Sequence, residues 1–152
     1  MTRRLEPPEG CKVFRLTFEP TTADIDANGH VNNVVYLRWA QDLGTAHWRS
    51  LAPPAAQATW AWIALRHEVD YRRELKLGET ALGRTWVAET AQGPRFDRYI
   101  VIDHPDGQMC AQIHTTWVLI EQATGQPRRV PAWITAMFAG RPSEPEPSSR
   151  VL

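Results

Sequence analysis

Cysteine is nearly missing from this chain: Cys11 and Cys110 are the only two in 152 residues, too few for a disulfide scaffold or a four-thiolate zinc site. Net charge is missing as well. Seventeen Lys+Arg balance seventeen Asp+Glu, so no field of one sign points to nucleic acid or an anionic membrane. No apolar run approaches the roughly 20 residues of a membrane span, and the opening Met1-Thr2-Arg3-Arg4-Leu5-Glu6-Pro7-Pro8 carries no apolar stretch of a secretory signal. Lysine is scarce too, Lys12 and Lys76 standing against fifteen arginines. These absences leave a cytoplasmic protein with no nucleic-acid or membrane partner. The 43% hydrophobic and 22% charged content suits a folded domain, and the length suits one domain rather than two.

The ends carry little periodic pattern. Residues 1–10 read as a flexible N-terminal segment, 11–138 as the folded domain, and 139–152, rich in Pro, Ser and Glu, as a disordered tail. Within the domain, 12–18 alternates as a strand, 21–29 is a polar loop, and Val35, Trp39, Leu43 and Ala46 recur at helical spacing from Asn32 to Leu51. Asn32 or Asn33 suits the N-cap, and Pro53-Pro54 stops the helix. Strands are expected at 60–71, 80–90, 96–103 and 109–121, with a short closing helix at 131–138; His104-Pro105-Asp106-Gly107 supplies a hairpin turn. One long helix beside a mainly antiparallel sheet of about five strands is an α+β fold. One such sheet leaves a face or an edge bare, so a homodimer or homotetramer is expected.

Chemistry concentrates in Asp24-Ile25-Asp26-Ala27-Asn28-Gly29-His30-Val31-Asn32-Asn33. Asp24, Asp26, Asn28, His30 and Asn32 fall on every second residue, and the loop feeds the long helix. Free N–H groups and the positive dipole end of a helix N-terminus suit a developing oxyanion. Caps and Asx turns would use the same residues. Asp24-x-Asp26-x-Asn28-Gly29 also opens like an EF-hand, but Val35 stands where the bidentate Glu belongs, so no metal is expected. His47, His67, His104 and His114 show no metal spacing with one another, and neither cysteine sits in the pattern of a catalytic thiol.

The string Asp24-x-Asp26-x-Asn28-Gly29-His30-Val31-Asn32-Asn33-x-x-Tyr36 resembles the signature of hotdog-fold thioesterases of the 4-hydroxybenzoyl-CoA thioesterase-like superfamily. It is also similar to the acyl-ACP thioesterase motif, and Asp70-Tyr71-Arg72-Arg73-Glu74 is similar to a second segment of those enzymes whose final Glu is catalytic. Those enzymes carry two fused hotdog repeats, and this chain has the length of one, which leaves CoA and acyl carrier protein both open as carriers. The resemblance implies a single hotdog domain over 11–138 that hydrolyses an acyl thioester. Asp26, Asn28, His30 and Glu74 would be its catalytic set, and the backbone N–H groups of Asn32, Asn33 and Val34 its oxyanion site. Either Glu74 or Asp26 would activate water, or Asp26 would attack the carbonyl directly. Two adjacent carboxylates should push one pKa toward neutrality. Trp39, Leu43, Trp60, Trp62 and Ile63 are candidate acyl-wall residues, and Arg72, Arg73, Arg128 and Arg129 candidate phosphate contacts. No cofactor is implied beyond the pantetheine carrier of the substrate. The rival readings are a non-catalytic acyl-thioester binder and a hotdog hydratase or dehydratase.

Overall fold

The computed structural model describes residues 3–144. Strand β1 (Phe14–Phe18) leads through a polar loop with a single 3₁₀ turn (Thr22–Asp24) into α1 (Asn33–Leu51). A short α2 (Pro54–Thr59) follows, then β2 (Trp60–Tyr71), β3 (Ala81–Val87), β4 (Arg95–Asp103), β5 (Met109–Glu121), the two-residue β6 (Gln126–Pro127) and α3 (Ala132–Phe138). The order β1-β3-β4-β5-β2 is antiparallel at each pairing, with β6 alongside the end of β5.

The long helix begins where it does because the Asn32 side chain accepts the Val34 N–H at 3.0 Å, an N-cap bond. It ends at Leu51, just before Pro53-Pro54, and Pro54 then suits the first turn of α2. Helix α1 buries Val35, Tyr36, Trp39, Ala40 and Leu43 against Ala81, Ile100, Ile102 and Ile113 of the sheet, with Phe14, Leu16 and Phe18 of β1 closing the side. A second cluster, built on Trp48, Phe96, Leu119, Trp133, Ile134 and Phe138, fills the far end of the helix. Gly83 allows β3 to approach α1: a Cβ there would lie 2.8 Å from Leu43 Cδ1 and 3.2 Å from Leu16 O.

Three expectations change. The run Trp60–Tyr71 is a strand, but its residues 63–68 are exposed, because β2 lies at the sheet's end and pairs only with β5. Residues 3–5 of the segment expected to be flexible are tied down: buried Gln112 accepts the Leu5 N–H at 2.8 Å and donates to Arg3 O at 3.0 Å. Helix α2 and strand β6 add two short elements to the expected set. Residues 145–152 of the expected disordered tail lie outside the described residues.

Candidate active site at the N-terminus of the long helix

The polar loop before α1 folds back on itself as a tight turn. Asp26 N–H donates to His30 O at 2.9 Å, Gly29 N–H donates to Asp26 O at 3.0 Å, and Ile25 bridges Val31. Gly29 takes φ +81°, the left-handed conformation such a reversal needs. Asp26 Oδ1 accepts from the Asn28 N–H at 2.9 Å and the His30 N–H at 3.4 Å, so this carboxylate fastens the turn that carries His30. Asp24 is buried and faces the scaffold instead: its Oδ2 accepts the Thr21 N–H at 2.9 Å, and its Oδ1 pairs with Arg38 at 2.8 Å. The alternating polar residues therefore divide. Asp24, Asp26 and Asn32 build the loop, while Asn28 and His30 keep their side chains for the cleft beside it.

Glu74 arrives from the far end of β2. After Tyr71 the chain leaves the sheet, with the Arg72 N–H still bonded to Cys110 O at 2.7 Å. Leu75 is fully buried in the core, and its carbonyl accepts the Val31 N–H at 2.8 Å. That bond joins the segment after β2 to the loop before α1 and brings Glu74 beside His30. The resulting cleft, of about 350 Å³, is lined by Asp26, Asn28, His30, Asn33, Arg73 and Glu74, with Val31, Asn32, Tyr36, Tyr71, Arg72 and Cys110 completing its wall. All four expected catalytic residues share it.

The electrostatics run opposite to the expected carboxylate repulsion. A hydrogen bond from its own backbone N–H, assisted by the charges of Arg73, His30 and Lys76, holds the Glu74 carboxyl below the ordinary glutamate value against an opposing desolvation. Glu74 is fully ionised at neutral pH. Arg73 Nη1 stands 3.5 Å from Glu74 Oε1 while its Nη2 bonds Asp106 at 3.0 Å, so the guanidinium is an orienting bridge. Asp106 and Glu79 in turn hold His104.

The oxyanion donors also need correction. Asn32 N–H is spent on Asp24 O at 2.8 Å, and Val34 N–H on the Asn32 side chain at 3.0 Å. The loop consumes the first and the helix cap the second. Asn33 N–H, at the first helical position, has no partner among the described residues and is the donor left for a ligand. Tyr71, which sequence patterning read only as a strand residue, pins this position by donating its hydroxyl to Asn33 O at 3.0 Å.

None of the five acyl-wall candidates lines the cleft. Trp39 and Leu43 are close-packed core, Ile63 is 54% exposed on β2, and Trp60 and Trp62 border a separate cavity near the other end of α1. Of the arginines, Arg72 and Arg73 reach the cleft, while Arg128 pairs with Glu121 beside β6. Among the described residues no group of three His, Cys, Asp or Glu side chains is arranged to hold a metal ion, and no helix is long and apolar enough to cross a membrane.

A sequence profile of the thioesterase-like superfamily matches residues 20–138. The chain belongs to that superfamily. A comparison with curated proteins finds no match. Among solved structures, a predicted thioesterase from Bacillus stearothermophilus is similar at TM-score 0.75 and 22% identity, over 88% of this chain and 99% of that one. A thioesterase from Thermus thermophilus, complexed with coenzyme A and zinc, is similar at TM-score 0.72 and 21% identity, over 82% and 96%. The 12:0-ACP thioesterase from Umbellularia californica is similar at TM-score 0.71 and 15% identity, over 84% of this chain and 50% of that chain. The fold is the hotdog thioesterase fold, and membership of the superfamily supports thioester hydrolysis as the activity.

Proposed function

We propose that this thioesterase-like protein is a cytoplasmic acyl-thioester hydrolase, releasing a carboxylic acid from acyl-CoA or an acyl carrier protein with its own side chains and no bound cofactor. The observation that carries this reading is the meeting of an ionised Glu74, His30 and the free Asn33 N–H in one cleft at a helix N-terminus. The thioester carbonyl points its oxygen at Asn33 N–H, where the helix dipole favours the charge that develops. Glu74 takes a proton from a water molecule as the water oxygen attacks the carbonyl carbon. The tetrahedral intermediate collapses by breaking the C–S bond, and the thiolate leaves to be protonated by His30 or solvent. Asp26 holds His30 in place through the turn. Arg73 orients Glu74, and the exposed Arg72 at the rim meets the phosphates of the carrier.

A second copy completes the molecule in this reading. The free side of β2 presents Ile63 at 54% and Leu65 at 55% exposure, an apolar edge that an isolated chain would leave open to water. Antiparallel pairing of β2 with its own copy, centred on residues 63–68, covers that edge. It also sets the Trp60 end of one strand beside the Tyr71 end of the other, where an acyl chain leaves the cleft. Purified protein assayed against acyl-CoAs and acyl carrier protein thioesters, with released thiol monitored, tests the activity. Release from one carrier class and not the other assigns the carrier. Inertness toward every thioester with CoA binding retained would favour the non-catalytic binder.

A further inference from the structure

The cavity near the C-terminal end of α1 has a composition the cleft chemistry does not use. Its volume is about 280 Å³. An apolar protein cavity of about 150 Å³ accommodates benzene, so this one takes a substituted ring or a branched aliphatic group. The aromatic rings of Trp48, Trp62, Phe96, Trp117 and Phe138 form much of its wall, and no acidic residue lines it.

One cation there lacks an anion. Arg98 is 4% exposed, and among the described residues no carboxylate pairs with it. Its Nη1 bonds only neutral acceptors, His47 Nδ1 at 3.0 Å and Thr85 Oγ1 at 3.0 Å, and its guanidinium carbon sits 5.5 Å from the centre of the Phe138 ring. Burial lowers the Arg98 pKa to about 9, which leaves it charged at neutral pH, and holds His47 near 3, with the Arg98 charge assisting, so His47 is neutral. A buried cation without an anion is a costly arrangement that an anionic ligand relieves. Gly44 makes the arrangement possible, since a Cβ there would lie 3.3 Å from both Cδ and Nε of Arg98.

We propose that this cavity is a ligand site for a small apolar carboxylate, its ring or alkyl body among the tryptophans and its anionic oxygens on Arg98. An aromatic cage without the arginine would suit a quaternary ammonium; the unopposed positive charge reverses that preference. Within one chain the cavity shares no lining residue with the thioester cleft. The carboxylate belongs either to a free acid or to the far end of a substrate's acyl group.

Calorimetric titration of the full chain with benzoate, phenylacetate and cyclohexanecarboxylate, each beside its neutral amide and beside acetate, tests the site. Saturable binding is expected for the apolar carboxylates, about tenfold or more weaker for the amides and for acetate. Arg98→Met should abolish it. Trp117→Ala, which removes one ring of the wall, should weaken it several-fold even if Arg98→Met fails to fold. His30→Ala should leave it intact, so failure of the hydrolase reading and failure of this site are distinguishable. Inhibition of thiol release that is competitive with substrate would assign the carboxylate to the acyl group, and binding without competition would assign it to a free acid. Absence of saturable binding, equal binding of acid and amide, or titrations unchanged in both Trp117→Ala and Arg98→Met would overturn the proposal.

Discussion

Asp26 offers the sharpest division between the two chemical routes open to this site. Its Oδ1 accepts two backbone N–H groups, from Asn28 at 2.9 Å and His30 at 3.4 Å. Asparagine keeps an amide oxygen at the same place, so Asp26→Asn removes the charge and preserves the turn, while Asp26→Ala removes both. A hydrogen bond to a charged group contributes about 1.5–3 kcal/mol. The second bond is long and the loop half-exposed, so Asp26→Ala should cost about 1–3 kcal/mol of stability and Asp26→Asn less than about 1 kcal/mol. With Glu74 as the base, Asp26→Asn should retain thiol release to within about tenfold, whereas loss of a general base costs roughly 10²–10⁴. Asp26→Ala should lose both stability and turnover, because His30 loses the turn that seats it. Steady-state thiol release beside thermal melts of the two variants and of Glu74→Gln supplies the comparison. An Asp26→Asn protein that melts like the parent but is as inactive as Glu74→Gln would refute the reasoning, since the aspartate would then be the attacking group.

Other outcomes follow from packing and titration. Gly83→Ala places a methyl 2.8 Å from Leu43 Cδ1 and 3.0 Å from Phe18 Cε2; overpacking of this kind costs about 1–3 kcal/mol, and a thermal melt should fall by about 2–4 °C for each kcal/mol. Asn32→Ala removes the cap on α1 and should cost about 0.5–2 kcal/mol by urea titration, with turnover reduced as the Asn33 N–H loses its alignment. Desolvation, then the Arg98 charge, depresses the His47 pKa from 6.5 to about 3. The unfolded chain therefore binds the extra proton first, and the contribution of neutral His47 is whole above 6.5 and is lost as pH falls toward 3. His47→Gln should flatten the urea-midpoint profile across that window. The acid limb of the kcat/KM profile should lie below the ordinary glutamate value, because Glu74 is depressed and must be ionised to act.

Periodicity made the main elements legible: the spans 60–71 and 109–121 agree with β2 and β5 at both ends, and the helix stop follows from Pro53-Pro54. It could not reveal α2 or β6, which are too short to show a period. Nor could alternation in 60–71 tell a face packed in the core from an edge left bare, since both put apolar side chains at every second position. Trp39 and Leu43 carry the same ambiguity, because helical spacing marks burial without saying whether the partner is sheet or substrate. The polar loop was legible as chemistry, but only coordinates divide its donors between capping and catalysis, leaving Asn33 where a set of three had been expected. The position of Glu74 depended wholly on resemblance. The bond from Val31 to Leu75 that brings it home joins residues far apart in the chain, and no local pattern announces such a contact. Arg98 and His47 lay in ordinary strand and helix patterns, so their pairing had no signal in the sequence.

Single-turnover thiol release by the parent and by Glu74→Gln, on the best acyl thioester from the panel, bears most directly on the account. The variant keeps the shape of the cleft and loses the charge that Arg73 and His30 surround, so the chemical step should slow by about 10²–10⁴ with substrate affinity little changed. A Glu74→Gln protein that releases thiol at the parent rate would contradict it.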